Sequence, residues 1–172
     1  SDSARKIGAV NTIIKKDGKL IGYNTDYHGF KSLVRLSGVS IKNGKCLVFG
    51  TGGAAETAKA VLYDLGAESV VSVSRTGAVN YQNLKMHYDT DIIVNATPMG
   101  MYPNNLAAPT DISGFFRLSA VFDMIYNPLK TELVLKAEEM GAKSFGGLFM
   151  LTEQARKSAE LFLDKKIDIQ KR

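Results

Sequence analysis

Gly50-Thr51-Gly52-Gly53-Ala54-Ala55 is a run of small residues between an apolar stretch, "KCLVFG", and a helical one, "AAETAKAVLYDLGA". Glycine lets a backbone turn tightly and approach a pyrophosphate, and the N-terminus of the following helix favours the anion's charge. Ala55 in the sixth position still permits close packing of helix on strand. The plain alternative is a tight strand-to-helix turn without a ligand. About two dozen positions after the loop, a second strand-like run ends in Ser74-Arg75-Thr76. A carboxylate at this point would accept a hydrogen bond from an adenosine ribose 2′-hydroxyl, whereas an Arg accommodates a 2′-phosphate. Arg75 can hold a phosphate bidentately, and Ser74 and Thr76 add hydroxyl donors. These residues point to NADP rather than NAD.

A second polar group lies in "GYNTDYHGF", residues 22–30, with Asn11 upstream in "GAVNT". One of Asn24, Thr25 and Asp26 is accounted for as a helix cap; three together are not. Each alone suits a turn or cap, and it is their combination with the cofactor loop that points to a ligand site. His28 and His87 are far apart, without Cys or carboxylates at ligand spacing, so no metal site is expected. Both histidines are read as surface or cap residues.

The elements that must position these groups follow from periodicity. Residues 7–24 hold two β-rich runs around Asp17-Gly18, a strong hairpin signal. A lone two-stranded hairpin is marginally stable in water, so it needs a neighbour. Phe30, Leu33, Val34 and Leu36 then repeat at helical spacing, and Gly38 supplies a stop. Beyond about residue 40, "KCLVFG", "SVVSVS", "DIIVNAT" and "SAVFDMIY" read as buried strands alternating with helices. The sequences "KTELVLKAEEMGA" and "FMLTEQARKSAELFLD" supply two further amphipathic helices. This pattern predicts an α/β fold, a doubly wound Rossmann-like parallel sheet with helices on both faces. The expected divisions are residues 1–38, hairpin and connecting helix; 39–147, the nucleotide-binding unit; and 148–172, a C-terminal helix.

The composition is that of an ordinary globular chain: 172 residues, 45% hydrophobic and 23% charged. The net charge of +5 arises from 22 basic residues interspersed with 17 acidic ones, which argues against a nucleic-acid face. Cys46 is the single cysteine and sits in an apolar run, so no disulfide framework exists within the chain. No apolar run approaches the roughly 18 residues of a membrane helix, and "SDSARKIG" does not read as a signal peptide. A cytoplasmic protein with a small-molecule partner is the expectation.

Taken together, "IGAVNTI", "GYNTDYHGF", "VFGTGGAAETA", "SRT", "VNATPMGMYP", "FDMIYNPLKT" and "GGLFMLTEQA" resemble the shikimate dehydrogenase family, in order and over nearly the whole chain. The resemblance implies NADP-dependent interconversion of 3-dehydroshikimate and shikimate in aromatic amino-acid (chorismate) biosynthesis. The expected assembly is a monomer or homodimer. The resemblance assigns Asn11, Thr25, Tyr126 and Gln154 to the substrate, and Asp26 to proton transfer beside a lysine. It assigns Gly50, Thr51, Gly52, Gly53, Ala54, Ser74, Arg75, Thr76, Asn95, Ala96, Thr97, Met99, Gly147 and Met150 to the cofactor; Met150 reads equally well as helix-face packing.

The chain departs from the family pattern in two ways. The family's carboxylate-binding segment and its lysine-bearing "N-V-T-x-P-x-K" motif do not occur in this sequence, and Lys15, Lys16 and Lys19 fall at the hairpin turn instead. Residues 1–38 are accordingly expected to be the remnant of a truncated substrate domain, and this chain alone is expected to be inactive. Many NADP-using members also carry a second basic residue four positions after the Arg, where this chain has Val79. The competing readings are a quinate/shikimate dehydrogenase using NAD or NADP, and a non-catalytic NADP-binding module.

Overall fold

A computed structural model describes residues 1–168. Ser1 caps a short helix, α1 (Asp2–Ile7), which Gly8 ends at φ +72°. Residues 7–11, expected as the start of a strand, therefore include a helix end and a linker. The hairpin proper is β1 (Thr12–Lys16) and β2 (Lys19–Tyr23), paired antiparallel from Lys16↔Lys19 to Thr12↔Tyr23. Asp17 and Gly18 both take positive φ (50° and 75°), the conformation that matches a two-residue turn to the strand twist. Asn24 then caps α2 (Thr25–Ser37) by accepting from the Tyr27 amide at 3.2 Å, and Gly38 closes it at φ +65°.

The remaining elements are β3 (Lys45–Phe49), α3 (Gly53–Asp64), β4 (Ser69–Val73), a 3₁₀ turn (Leu84–His87), β5 (Ile92–Asn95), β6 (Ala120–Asp123), α4 (Glu132–Glu139), β7 (Lys143–Phe145) and α5 (Leu148–Leu163). The five strands pair in the order β4-β3-β5-β6-β7, all parallel. Three residues, Lys143-Ser144-Phe145, form the edge strand β7, which is too short and too polar to stand out in the sequence.

Strand alternation divides the core in two. Cys46, Val48, Ile92, Val94, Ala120 and Phe122 face α2, α3 and α5, where Phe30, Leu33 and Val34 are fully buried. Burial of each such side chain stabilises the fold by about 1.5–3 kcal/mol. Leu47, Phe49, Ile93 and Val121 face α4 and the irregular stretches around Leu84, Ile112 and Phe115. One face is thus helical throughout, while the other has α4 and largely non-helical connections.

The chain leaves β3 for β4 on one side and then crosses back past β3 to β5 on the other, so the direction of strand addition reverses at β3. A crevice opens outside the strand C-termini at such a switch point, where ligands of open α/β sheets bind.

Candidate functional site

At that switch point lies a cleft of about 480 Å³ lined by Gly50, Thr51, Val73, Ser74, Arg75, Tyr81, Thr97, Pro98, Met99 and Pro109. Each side of it has a local cause. Gly50 adopts φ +111°, and a Cβ there would meet the Ala96 carbonyl oxygen at 2.9 Å, so only glycine lets the loops after β3 and β5 close together. Gly52 is different: a Cβ would find nothing within 4 Å. It caps α3 without any side-chain hydrogen bond, leaving the helix's first amides available for an anion. Open space plus unpaired donors fits a pyrophosphate. Gly53 opens α3, with Ala54 next and Ala55 fully buried behind it.

Arg75 is exposed and makes no ion pair among the described residues; Ser74 and Thr76 flank it. The loop carrying them is pinned by its own bonds, with the Ser74 amide donating to the Val79 carbonyl at 3.2 Å and Asn83 Nδ2 to the Ala78 carbonyl at 2.8 Å.

Asn95 sits in the cleft wall by sequence, yet it is fully buried. Its Oδ1 accepts from the Thr97 hydroxyl at 2.7 Å and the Thr97 amide at 3.0 Å. Its Nδ2 donates to Asp123 Oδ1 at 3.1 Å and to the Met99 carbonyl at 3.3 Å. Asn95 therefore shapes the loop that exposes Ala96, Thr97 and Met99 rather than facing the cleft. Asp123, which the sequence motifs did not single out, completes this network. Its Oδ2 accepts from the Thr131 hydroxyl at 2.7 Å, and burial raises its carboxyl above the ordinary carboxylate value. The sequence signal was an acidic residue ending an otherwise apolar strand.

The polar group near residue 24 assembles around Asn11. Its Oδ1 accepts from the Thr25 amide at 2.8 Å, from the Thr25 hydroxyl at 3.2 Å and from the Thr12 hydroxyl at 3.1 Å. Thr25 Oγ1 also lies 3.3 Å from Gln154 Oε1 and 3.0 Å from Ser158 Oγ. Ser158 and Thr12, 3.1 Å apart, were not anticipated, although Ser158 stands one helical turn after Gln154. Gly29 makes this meeting of α2 and α5 possible, since a Cβ there would press on the Met150 carbonyl and Gln154. Asp26 stands beside Asn11 at the start of α2. Burial raises its carboxyl, with Asn11's hydrogen bond pulling the other way.

Tyr126 is half exposed in the loop after β6 and joins neither hydrogen-bonded group among the described residues. Gly147 starts α5 with its amide on the Ile125 carbonyl at 2.8 Å, and a Cβ would collide with the Met124 carbonyl. Met150 is buried in the helical-face core. His28 Nε2 lies 3.0 Å from Arg156 Nη2, so this ring is tied to α5. Among the described residues, no group of three or more His, Cys, Asp or Glu side chains could hold a metal ion, and no helix is long and apolar enough to cross a membrane.

No protein-family model matches the chain. Individual proteins do. A shikimate dehydrogenase (NADP(+)) from Clostridium perfringens is 36% identical over 181 residues, covering 98% of this chain and 67% of that protein. Among solved structures, a chorismate mutase/shikimate 5-dehydrogenase fusion protein from Clostridium acetobutylicum superposes with a TM-score of 0.92 at 38% identity, covering 98% of this chain and 65% of that one. Shikimate 5-dehydrogenase from Thermus thermophilus, in complex with NADP(H) and shikimate, superposes with a TM-score of 0.85 at 32% identity, covering 98% and 67%. The chain thus spans about two thirds of the length of these relatives.

Proposed function

This chain belongs to the shikimate dehydrogenase family, and from that premise we propose that it is the NADP-holding part of an enzyme that interconverts 3-dehydroshikimate and shikimate. The observation that carries the cofactor half is the cleft lined by Gly50 and Thr51, the residues that lead into the uncapped N-terminus of α3, together with the unpaired Arg75. One end offers backbone donors to a pyrophosphate; the other offers a guanidinium to a 2′-phosphate. NADP, when bound, supplies the hydride acceptor.

On the substrate side, the chain's own residues bind and orient. Asn11, Thr25 and Gln154 provide amide and hydroxyl groups for a polyol, and Asp26, with its carboxyl raised by burial, holds the reacting hydroxyl's proton or a partner cation in place. Domain boundaries at 38/39 and 147/148 fit this division, with residues 1–38 and α5 carrying the substrate groups and the parallel sheet carrying the cofactor. The unaccompanied β1–β2 hairpin, with Ile13 and Leu20 exposed, supports the inference that further sheet covers it in the complete enzyme. We infer that turnover requires a lysine from the portion of the relatives that this chain does not span.

Asn11 doubles as a structural joint, but a pure NADP-binding module would need neither the half-buried Asp26 carboxyl nor Gln154 beside Thr25, which weighs against that reading. The test is shikimate-dependent reduction of NADP by the 172-residue chain, with cofactor binding measured on the same sample. Binding without turnover, and turnover on adding the N-terminal domain of a relative, is the expected result. Binding that yields no turnover even then would favour the module.

A further inference from the structure

We propose that the hydroxyl of Tyr81 is a second donor to the 2′-phosphate held by Arg75, and so a residue that sets the preference for NADP over NAD. This rests on the NADP reading of the cleft given above. Among the residues lining that cleft, Arg75 is the single cation, and Val79 offers no charge where the loop turns back. A phosphate presents three terminal oxygens, each able to accept more than one hydrogen bond, so a guanidinium and two neighbouring hydroxyls leave room for a further donor. Tyr81 lines the same cleft, and its hydroxyl has no hydrogen-bond partner among the described residues. A half-buried phenol whose polar tip stays free at a ligand cleft has an apolar body packed in place and a donor to spare.

The packing supports this use. The Tyr81 ring sits 6.0 Å from the Phe49 ring, centroid to centroid, at 40°, against the core under β3. Its neighbour Asn80 is held on both sides, its amide donating to Asn83 Oδ1 at 2.8 Å and its Nδ2 to the Gly77 carbonyl at 3.2 Å. The stretch from Ser74 to Asn83 is therefore a self-tied loop that fixes the backbone carrying Arg75 and Tyr81 before any ligand arrives, which lowers the ordering cost of binding. Burial raises the Tyr81 phenol above its usual value while Arg75 opposes the rise; the group stays protonated near neutral pH and acts as a donor.

The experiment compares the 172-residue chain with Tyr81→Phe and Arg75→Gln, titrating NADP, NAD, and the fragments adenosine 2′,5′-bisphosphate and AMP by calorimetry. Thermal melts of the ligand-free proteins check that the fold is intact. Tyr81→Phe keeps the ring on Phe49, so its melt should match the unaltered chain. It should weaken NADP and the bisphosphate by on the order of tenfold, the size of a hydrogen bond to a charged group, and leave NAD and AMP unchanged. Equal losses for both members of each pair would mean that Tyr81 contacts the adenosine instead, and no loss for either would mean that it contacts nothing; either result overturns the proposal. If Arg75→Gln abolishes the NADP preference while Tyr81→Phe keeps it, the phosphate reading stands and only the Tyr81 assignment falls. If the unaltered chain binds NAD as well as NADP, or neither, the phosphate reading fails and the assignment falls with it.

Discussion

Asn11 Oδ1 accepts the backbone N–H of Thr25 at 2.8 Å, so a side chain from the linker before the hairpin closes the first turn of α2. The same oxygen takes hydroxyl protons from Thr12 and Thr25, which ties together the segment before β1, the strand itself and the helix that meets α5. A residue assigned to substrate contact is thereby also a structural joint. Asn11→Ala leaves a part-buried amide and two hydroxyls without their acceptor. It should cost about 1–3 kcal/mol of stability in urea unfolding.

The glycines of the cofactor loop divide into two kinds, and substitution should separate them. Gly50→Ala forces a Cβ into a left-handed backbone conformation and against the Ala96 carbonyl, so it should destabilise the fold by about 2 kcal/mol or more. Gly52→Ala meets open space and should leave the thermal midpoint nearly unchanged. It places a methyl where a pyrophosphate would lie, so NADP affinity should drop by at least about tenfold in a binding titration. Equal stability loss in both variants would contradict this division.

Asp26 has its carboxyl raised by burial, and no cation pairs with it among the described residues. Its folded-state value lies above its unfolded one, so ionisation in the native state carries a stability cost. That cost is fully present above the folded value and disappears as pH falls below the unfolded one. Asp26→Asn should therefore raise the melting temperature of the ligand-free chain more at pH 7 than at pH 4. In a fusion of this chain to the N-terminal domain of a relative, it should reduce turnover by about a hundredfold or more.

His28 provides a pH signature of the α2–α5 contact. Burial, then the Arg156 guanidinium, lower its imidazole below the usual value, with Lys157 adding to the effect and Glu153 and Glu160 opposing it. The depressed folded value means that the native state binds the proton less readily than the unfolded chain. Stability should thus be highest above about pH 6.5 and fall as pH drops below it, until the folded value is passed. Replacing His28 by Gln should flatten that part of the stability profile measured by chemical denaturation; an unchanged slope would assign the titration elsewhere.

Local chemistry carried much of this molecule in plain view. The glycine loop, Arg75 two dozen positions later, the Asp17-Gly18 turn and the short apolar runs each depend on neighbours close in sequence, and each appears in the structure where the residues indicate. The periodicity of α2 likewise marked Phe30, Leu33 and Val34 as buried, because a repeat of about 3.6 residues is a property of the segment alone, whereas Leu36, the fourth residue of the run, lies exposed at the end of the helix. Short elements escaped: α1 depends on a Ser1 cap and a left-handed Gly8, and β7 on a partner strand, β6, for its three residues.

The tertiary structure alone decided which polar groups share a site. Thr25 meets Gln154 and Ser158 across 129 and 133 positions, because Gly29 lets two helices approach where any side chain would hold them apart. Asn95, which the family resemblance assigns to the loop lining the cofactor, bonds in this fold to Asp123 and Thr97. Tyr81 had no distinguishing motif, and only the packing on Phe49 brought it to the cleft beside Arg75. Sequence spacing encodes local conformation, whereas the direction in which a polar side chain spends its hydrogen bonds is set by what folding brings within about 3 Å of it.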